Sequence, residues 1–210
     1  MYLPTHFRED RLDVQHGLVR AHPLGTLITA GPGGLMANPL PFLVDAHRGT
    51  HGTLRAHLAR GNPQLRELAA GGECLVVFSG PHDYVSPSWY ATKQASGKVV
   101  PTWNFVTVHA WGVPRLMDDA AWLRGLLGDL TDRHERGRPQ PWAVDDAPAD
   151  FIAAQMKAIV GLEIPIARIE GKWKVSQNRS QADRQGVADG LRAQGAEAMA
   201  DLVCPPSPSP

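Results

Sequence analysis

The sequence predicts a mainly β chain of the α+β class, an antiparallel sheet closed into a small barrel with flanking helices. Three observations predict it. Apolar residues alternate along short segments, as at Phe105, Val106, Val108 and Ala110, and again at Ile164, Ile166, Ile169 and Trp173. Strong turn signals separate such segments, the clearest being Gly31-Pro32-Gly33-Gly34. The order of segments is a meander with helices inserted at its ends. Closing six or more such strands leaves no edge exposed.

The elements follow in order. Leu12, His16 and Val19 lie at near-helical spacing between Asp10 and His22, and Pro23 stops that helix. A strand over Leu24–Thr29 and a second over Leu35–Val44 flank the glycine turn. Pro39 and Pro41 donate no ladder hydrogen bond, so the second strand lies at an edge or carries a bulge. Thr50–Leu58 reads as a third strand. A helix from Asn62 to about Ala70 has Asn62 as its N-cap, Pro63 in its first position and Gly71-Gly72 at its end. Glu73–Phe78 is the fourth strand, resuming after Gly80-Pro81 at Tyr84-Val85. Trp103–Val113 is the next. Asp118 or Asp119 caps a helix through Leu130, carrying Trp122, Leu126 and Leu127. Arg133–Pro148 reads as a surface loop, and Phe151, Ile152, Met156 and Ile159 mark a short helix. Leu162–Val175 reads as a hairpin. From Gln181 a polar helix leads to a Pro/Ser tail with the composition of a disordered segment. The predicted organisation is one domain over residues 1–180, followed by the C-terminal helix and tail over 181–210.

Composition narrows the function. The 210 residues are 43% hydrophobic and 20% charged, as in ordinary globular proteins. Basic and acidic residues both number 21, so no whole-chain positive field exists to grip nucleic acid. The two cysteines, Cys74 and Cys204, form no C-x-x-C pair and fit a reducing cytoplasm. No apolar run approaches the ~20 residues that span a bilayer. The first residues lack the apolar block of a secretion signal. A cytoplasmic protein is expected.

Several chemistries can be set aside. His47, His51 and His57 fall in a turn and a strand, and no cysteine or carboxylate cluster completes a metal site. No G-x-S-x-G elbow surrounds Ser86 or Ser88. The glycine turn joins two strands rather than a strand and a helix, unlike a nucleotide-binding loop.

Three clusters remain. His57-Leu58-Ala59-Arg60-Gly61-Asn62-Pro63 places a guanidinium and an imidazole where a strand meets a helix N-terminus, which suits a phosphate monoester. Its bland alternative is a solvated arginine at a helix start. Trp103 and Asn104 offer an aromatic face and an amide, and Gln177 and Arg179 add another amide and guanidinium at the end of the last strand. An isoalloxazine ring needs such groups. The bland alternatives are surface loops and a core tryptophan.

At these residues the sequence resembles the PaiB family of FMN-binding negative transcriptional regulators. The motifs are Met1-Tyr2-Leu3-Pro4-Thr5-His6-Phe7, Asn38-Pro39-Leu40-Pro41-Phe42, the His57–Pro63 segment, Tyr84-Val85-Ser86-Pro87-Ser88-Trp89-Tyr90, Val100-Pro101-Thr102-Trp103-Asn104-Phe105 and Lys174-Val175-Ser176-Gln177-Asn178-Arg179. They stand in the expected order and reach residue 180. The resemblance implies an FMN-binding split β-barrel, similar to pyridoxamine 5′-phosphate oxidase, working as a homodimer with FMN at the interface. It implies that His57, Arg60, Asn62 and Pro63 hold the phosphate. The strand with Trp103 and Asn104 and the end with Gln177 and Arg179 would then approach the flavin, one of the two from the partner chain.

The family is described as repressors, yet no basic recognition helix stands out, and the Asp119–Leu130 and Asp150–Ile159 helices are acidic or apolar. DNA binding would have to use a local patch. The alternatives are an FMN-dependent oxidoreductase acting on a small molecule without touching DNA, and a degraded barrel that has lost its flavin. Loss of Arg60 would mark the last, and Arg60 is present.

Overall fold

The computed structural model describes residues 1–206. The end of the predicted disordered tail, 207–210, lies outside the described residues. In chain order the elements are β1 (Arg8–Glu9), α1 (Leu12–Ala21), β2 (Leu24–Gly31), β3 (Gly34–Pro41), β4 (Leu43–Asp45), β5 (Thr53–Ala59), α2 (Leu65–Ala69), β6 (Cys74–Val85), α3 (Ala91–Ser96), β7 (Thr102–Gly112), β8 (Arg115–Met117), α4 (Ala120–Glu135), α5 (Ala149–Met156), β9 (Ile159–Pro165), β10 (Arg168–Lys174), α6 (Gln181–Ala193) and α7 (Glu197–Val203). The chain divides into two compact units. The first contains Met1–Leu18, Ser79–Val108 and the residues from Glu170 onward; the second contains Val19–Phe78 and His109–Ile169.

In the second unit β6, β2 and β3 are neighbours in that order, and β4, β5, β9 and β8 form a second sheet. The β2–β3, β2–β6, β4–β5, β5–β9 and β8–β9 pairings are antiparallel. Gly31-Pro32-Gly33-Gly34 makes the expected hairpin, with Gly31 opposite Gly34 and Gly34 at φ 101°. β3 is an edge strand, as its two prolines require. The predicted strand over 35–44 is in fact two. It breaks at Phe42, whose N–H donates to Pro23 O at 2.8 Å, and β4 then joins the other sheet. Leu43, Leu126 and Leu130 pack together, with Trp122 against them, which brings the apolar stripe of α4 onto this unit. Asp119 caps α4 by accepting from Trp122 N at 2.7 Å.

In the first unit β1, β10, β7 and β6 are neighbours in that order, with β1 antiparallel to β10. Gly80-Pro81 does not interrupt β6, which runs unbroken for 12 residues. A Cβ at Gly80 would lie 2.6 Å from Leu18 Cδ1, so the glycine serves a close approach rather than a turn. The predicted hairpin over 162–175 is also corrected. β9 and β10 follow one another but belong to different sheets, and Ala167 N donates to Trp111 O at 2.8 Å between them.

The C-terminal helices are integral to the first unit. Val187, Ala188, Leu191, Met199, Ala200 and Val203 are buried. Gly186 and Gly190 seat Trp89: a Cβ at either would fall within 2.4 Å of its carbonyl or its indole. Asp183, also buried, accepts from Thr92 N and Thr92 Oγ1 at 2.8 Å each and so caps α3. Those bonds hold its carboxyl below the usual range against the opposing effect of burial. Helix α3 was not expected from sequence, because its cap comes from a residue far along the chain.

Candidate functional site

Along β5, Leu54, Ala56 and Leu58 point into the core and Arg55 and His57 face the other way, half-buried. His57 stands opposite Gly161 on β9. Burial lowers its pKa and favours the neutral imidazole, and its Nδ1 is buried without a hydrogen-bond partner among the described residues. Past β5 the chain runs through overlapping four-residue turns, with Leu65 N donating to Asn62 O and Arg66 N to Pro63 O. The α-helix proper begins only at Leu65 and is five residues long. Asn62 is therefore not the cap of α2. Its Oδ1 accepts from Gln64 N at 2.9 Å and caps the turn instead. A helix this short brings little dipole to an anion.

Arg60 has several partners. Its Nη1 and Nη2 pair with Asp118 at 3.1 and 2.5 Å, and its Nε and Nη2 donate to the carbonyls of Lys157 and Ile159 at 3.1 Å. The pair is exposed, and Arg60 holds the Asp118 carboxyl below its ordinary value. Arg60 also lines a 990 Å³ cavity walled by Leu123, Val144, Ile152 and Met156.

Behind this segment stands a network that sequence reasoning missed. Gln64 is fully buried. Its Nε2 donates to Leu27 O at 3.2 Å, Thr29 Oγ1 at 3.1 Å and Met36 O at 3.3 Å, and its Oε1 accepts from Asn38 Nδ2 at 2.9 Å. Thr29 Oγ1 donates in turn to Glu67. The network fixes the 57–64 turn against β2 and β3. Nothing in the local sequence separates a buried glutamine from a surface one.

The other sequence-predicted residues lie in the first unit. Trp103 is 49% exposed and Tyr84 44%. Their ring centroids are 6.2 Å apart, and His82 stacks beside Trp103 at 6.0 Å. Trp103 Nε1 donates to His82 Nδ1 at 3.4 Å. His82, Trp103, Phe105 and Gly80 line a cavity of 460 Å³. Neighbouring Asn104 points inward. It is buried and donates to Ser176 Oγ at 2.9 Å, while the hydroxyl donates back at 3.3 Å. Ser176 is left-handed at φ 63°, and this pair holds it there. Gln177 is spent on the same turn: its Oε1 accepts from Val175 N at 2.8 Å and its Nε2 donates to Trp173 O.

Arg179 lies over the Tyr90 ring at 4.8 Å. Tyr90 is buried, and burial raises its pKa despite the opposing effect of Arg179 beside its ring and hydroxyl. Lys174 donates to Thr102 Oγ1 at 2.6 Å and to Trp103 O. Burial, then Lys172 and Arg179, lowers its pKa. Thus the structure brings Trp103, Asn104, Gln177 and Arg179 into one unit and His57, Arg60, Asn62 and Pro63 into the other. Tyr84, Tyr90, Ser176, Lys174 and His82 join the first group beyond the expected residues.

Residues 1–168 match the family model described as "Putative FMN-binding domain", and the chain belongs to this family. The Bacillus subtilis protein named Protease synthase and sporulation protein PAI 2 is 31% identical over 97% of this chain and 96% of its own length. An uncharacterised protein of Emericella nidulans is 35% identical over 94% of this chain and 93% of its own. The resemblance to the PaiB family is borne out. Among solved structures, the FAD and haem binding protein of Mycobacterium smegmatis superposes with a TM-score of 0.58 at 22% identity, over 80% of this chain and 73% of that one. The flavocytochrome Anf3 of Azotobacter vinelandii gives 0.58 at 16% identity, over 80% and 69%. At such identities the likeness is one of fold, and it is the antiparallel split barrel with flanking helices that the sequence predicts. The family is an FMN-binding one, so the cofactor is a flavin, as expected.

The residues present fit that cofactor. FMN combines a dianionic phosphate, a polar pyrimidine edge and a flat ring. The second unit offers His57 Nδ1, a buried polar atom without a hydrogen-bond partner among the described residues, and the first unit offers an open aromatic face at Trp103.

Proposed function

We propose that the protein is a PaiB-like flavin-dependent negative transcriptional regulator that works as a homodimer in the cytoplasm. FMN takes its phosphate contacts from His57, Arg60, Asn62 and Pro63. It takes its ring contacts from Trp103, Asn104, Gln177 and Arg179, with either set drawn from the partner copy. The observation that carries this reading is the half-exposed Trp103 beside His82 and Tyr84. Exposed aromatic area of this kind marks a place where a flat partner binds. Asn104 and Gln177 act here as positioning residues: they fix the Ser176 turn and the strand on which Trp103 stands. Arg60 reaches a phosphate by exchanging Asp118 for it. The two cysteines are free, which suits a reducing compartment.

A second reading, an FMN-dependent oxidoreductase without direct DNA binding, is favoured by the balanced charge of the chain and by the same open ring face. When bound, the flavin supplies the electron-transfer chemistry, and the chain supplies orientation and access.

The test is direct. The purified protein is expected to quench FMN fluorescence and to show bound-flavin absorbance; a chain that does neither sinks both readings. DNA retention measured beside NAD(P)H consumption then separates them. Turnover without retention favours the enzyme, and retention that changes with flavin loading favours the regulator.

A further inference from the structure

A polar cavity of 770 Å³ lies in the second unit, where the last turns of α1 and α4 meet β5. Its lining includes Arg20, Arg55, Arg133 and Arg136, with Asp129 and Asp132. None of these residues belongs to the flavin contacts proposed above. Four guanidiniums against two carboxylates leave a surplus of two positive charges, in a chain whose net charge is zero.

Two of the arginines have evident duties. Arg55 Nη1 pairs with Asp129 at 2.9 Å, and Arg133 Nη2 donates to the carbonyl of Arg20 at the end of α1 at 2.5 Å. A helix C-terminus calls for a cation, and Arg133 meets that need. Arg20 and Arg136 are exposed, and no partner for either guanidinium is found among the described residues. Arg55 Nε is buried and has no hydrogen-bond acceptor among the described residues. Like charges gathered this closely repel, and an anion among them relieves the repulsion while filling the empty donor positions.

We propose that this cavity binds a small phosphorylated molecule carrying two phosphate groups or a diphosphate, separate from the flavin. The guanidinium fork matches phosphate oxygens in pairs. The surplus of two charges matches a multiply charged anion. The volume falls within the range of about 300–1,000 Å³ typical of small-molecule sites. The four arginines line one cavity, and Asp129 and Asp132 line it with them, where their carboxylates would repel a phosphate backbone laid across it. Both features favour a small molecule over nucleic acid.

The experiment uses the full chain saturated with FMN, titrated with sodium pyrophosphate by calorimetry, with sulfate at matched ionic strength as the control. Binding is expected in the wild type, and the Arg20→Ala/Arg136→Ala pair should weaken it at least about tenfold. Flavin absorbance and melting temperature should be unchanged. If the double variant does not fold, Arg136→Ala alone is expected to weaken binding by several-fold. The proposal is overturned by an absence of binding at millimolar pyrophosphate, by equal binding of sulfate, or by equal affinity in the variants. Release of FMN by pyrophosphate would assign the arginines to the flavin site and also overturn it. So would retention of duplex DNA that the variants lose while pyrophosphate goes unbound. If the chain takes no FMN, the titration is read on the chain as purified, so failure of the flavin reading and failure of this one remain distinguishable.

Discussion

The 57–64 segment and the 173–179 turn are built from the same residue types and use them in opposite ways. Both follow a strand and both carry amides and guanidiniums. At 57–64 a buried glutamine, Gln64, takes over the structural work, and His57 keeps a nitrogen with no partner among the described residues. At 173–179 Gln177 is consumed by its own turn and Ser176 by Asn104, while what stays open nearby is a ring, Trp103. Amide-rich motifs therefore mark architecture as readily as ligand contacts. Only the partners of each amide tell which.

The comparison can be broken most sharply at Gln64. Gln64→Ala leaves Asn38 and Thr29 short of a partner and opens a cavity, so a loss of about 3 kcal/mol is expected. In a chain of this size that lowers the melting temperature by roughly 6–12 °C. A melt within a degree of wild type would remove the network from the account. Trp103→Ala should act the other way, with FMN affinity down about tenfold and stability almost unchanged, since the side chain is half-exposed. Fluorescence titration and a thermal melt on one sample check both.

Arg60 is where the two kinds of use meet. If it exchanges Asp118 for phosphate, Arg60→Ala should weaken FMN several-fold more than riboflavin, and Asp118→Asn should tighten FMN by a few-fold. Equal losses for both flavins would make Arg60 a structural tie alone. The smallest effect concerns His57. Its folded pKa lies below the unfolded value, so the unfolded chain binds the proton first as pH falls. The cost is absent above about pH 6.5 and grows below it, levelling off beneath the folded pKa. His57→Gln should flatten the fall in stability between about pH 7 and 5. An unchanged slope in urea melts would place that dependence elsewhere.

Much of the fold could be read directly. The glycine turn, the prolines of β3, the Asp119 cap and the alternation along β7 each act over a few residues, so a window of sequence contains their cause. What could not be read has its cause far along the chain. Helix α3 is capped by Asp183, Gly80 within β6 makes room for Leu18, and β4 leaves its predecessor at the hydrogen bond from Phe42 to Pro23. The site divides in the same way. Trp103, His57 and Arg60 stand out as residue types in motifs. Gln64, Tyr90 and Lys174 acquire their character from burial, which no short motif records.

The seat that Gly186 and Gly190 provide for Trp89, with the Asp183 cap beside it, bears on how this protein can be cut. The family model ends at residue 168, and the predicted domain ended at 180. An expression fragment trimmed to either boundary would discard both glycines and Asp183. It would leave an indole without its socket and a helix without its first hydrogen bonds, in the stretch that leads to Trp103. A fragment that keeps both C-terminal helices and their buried face extends through Val203.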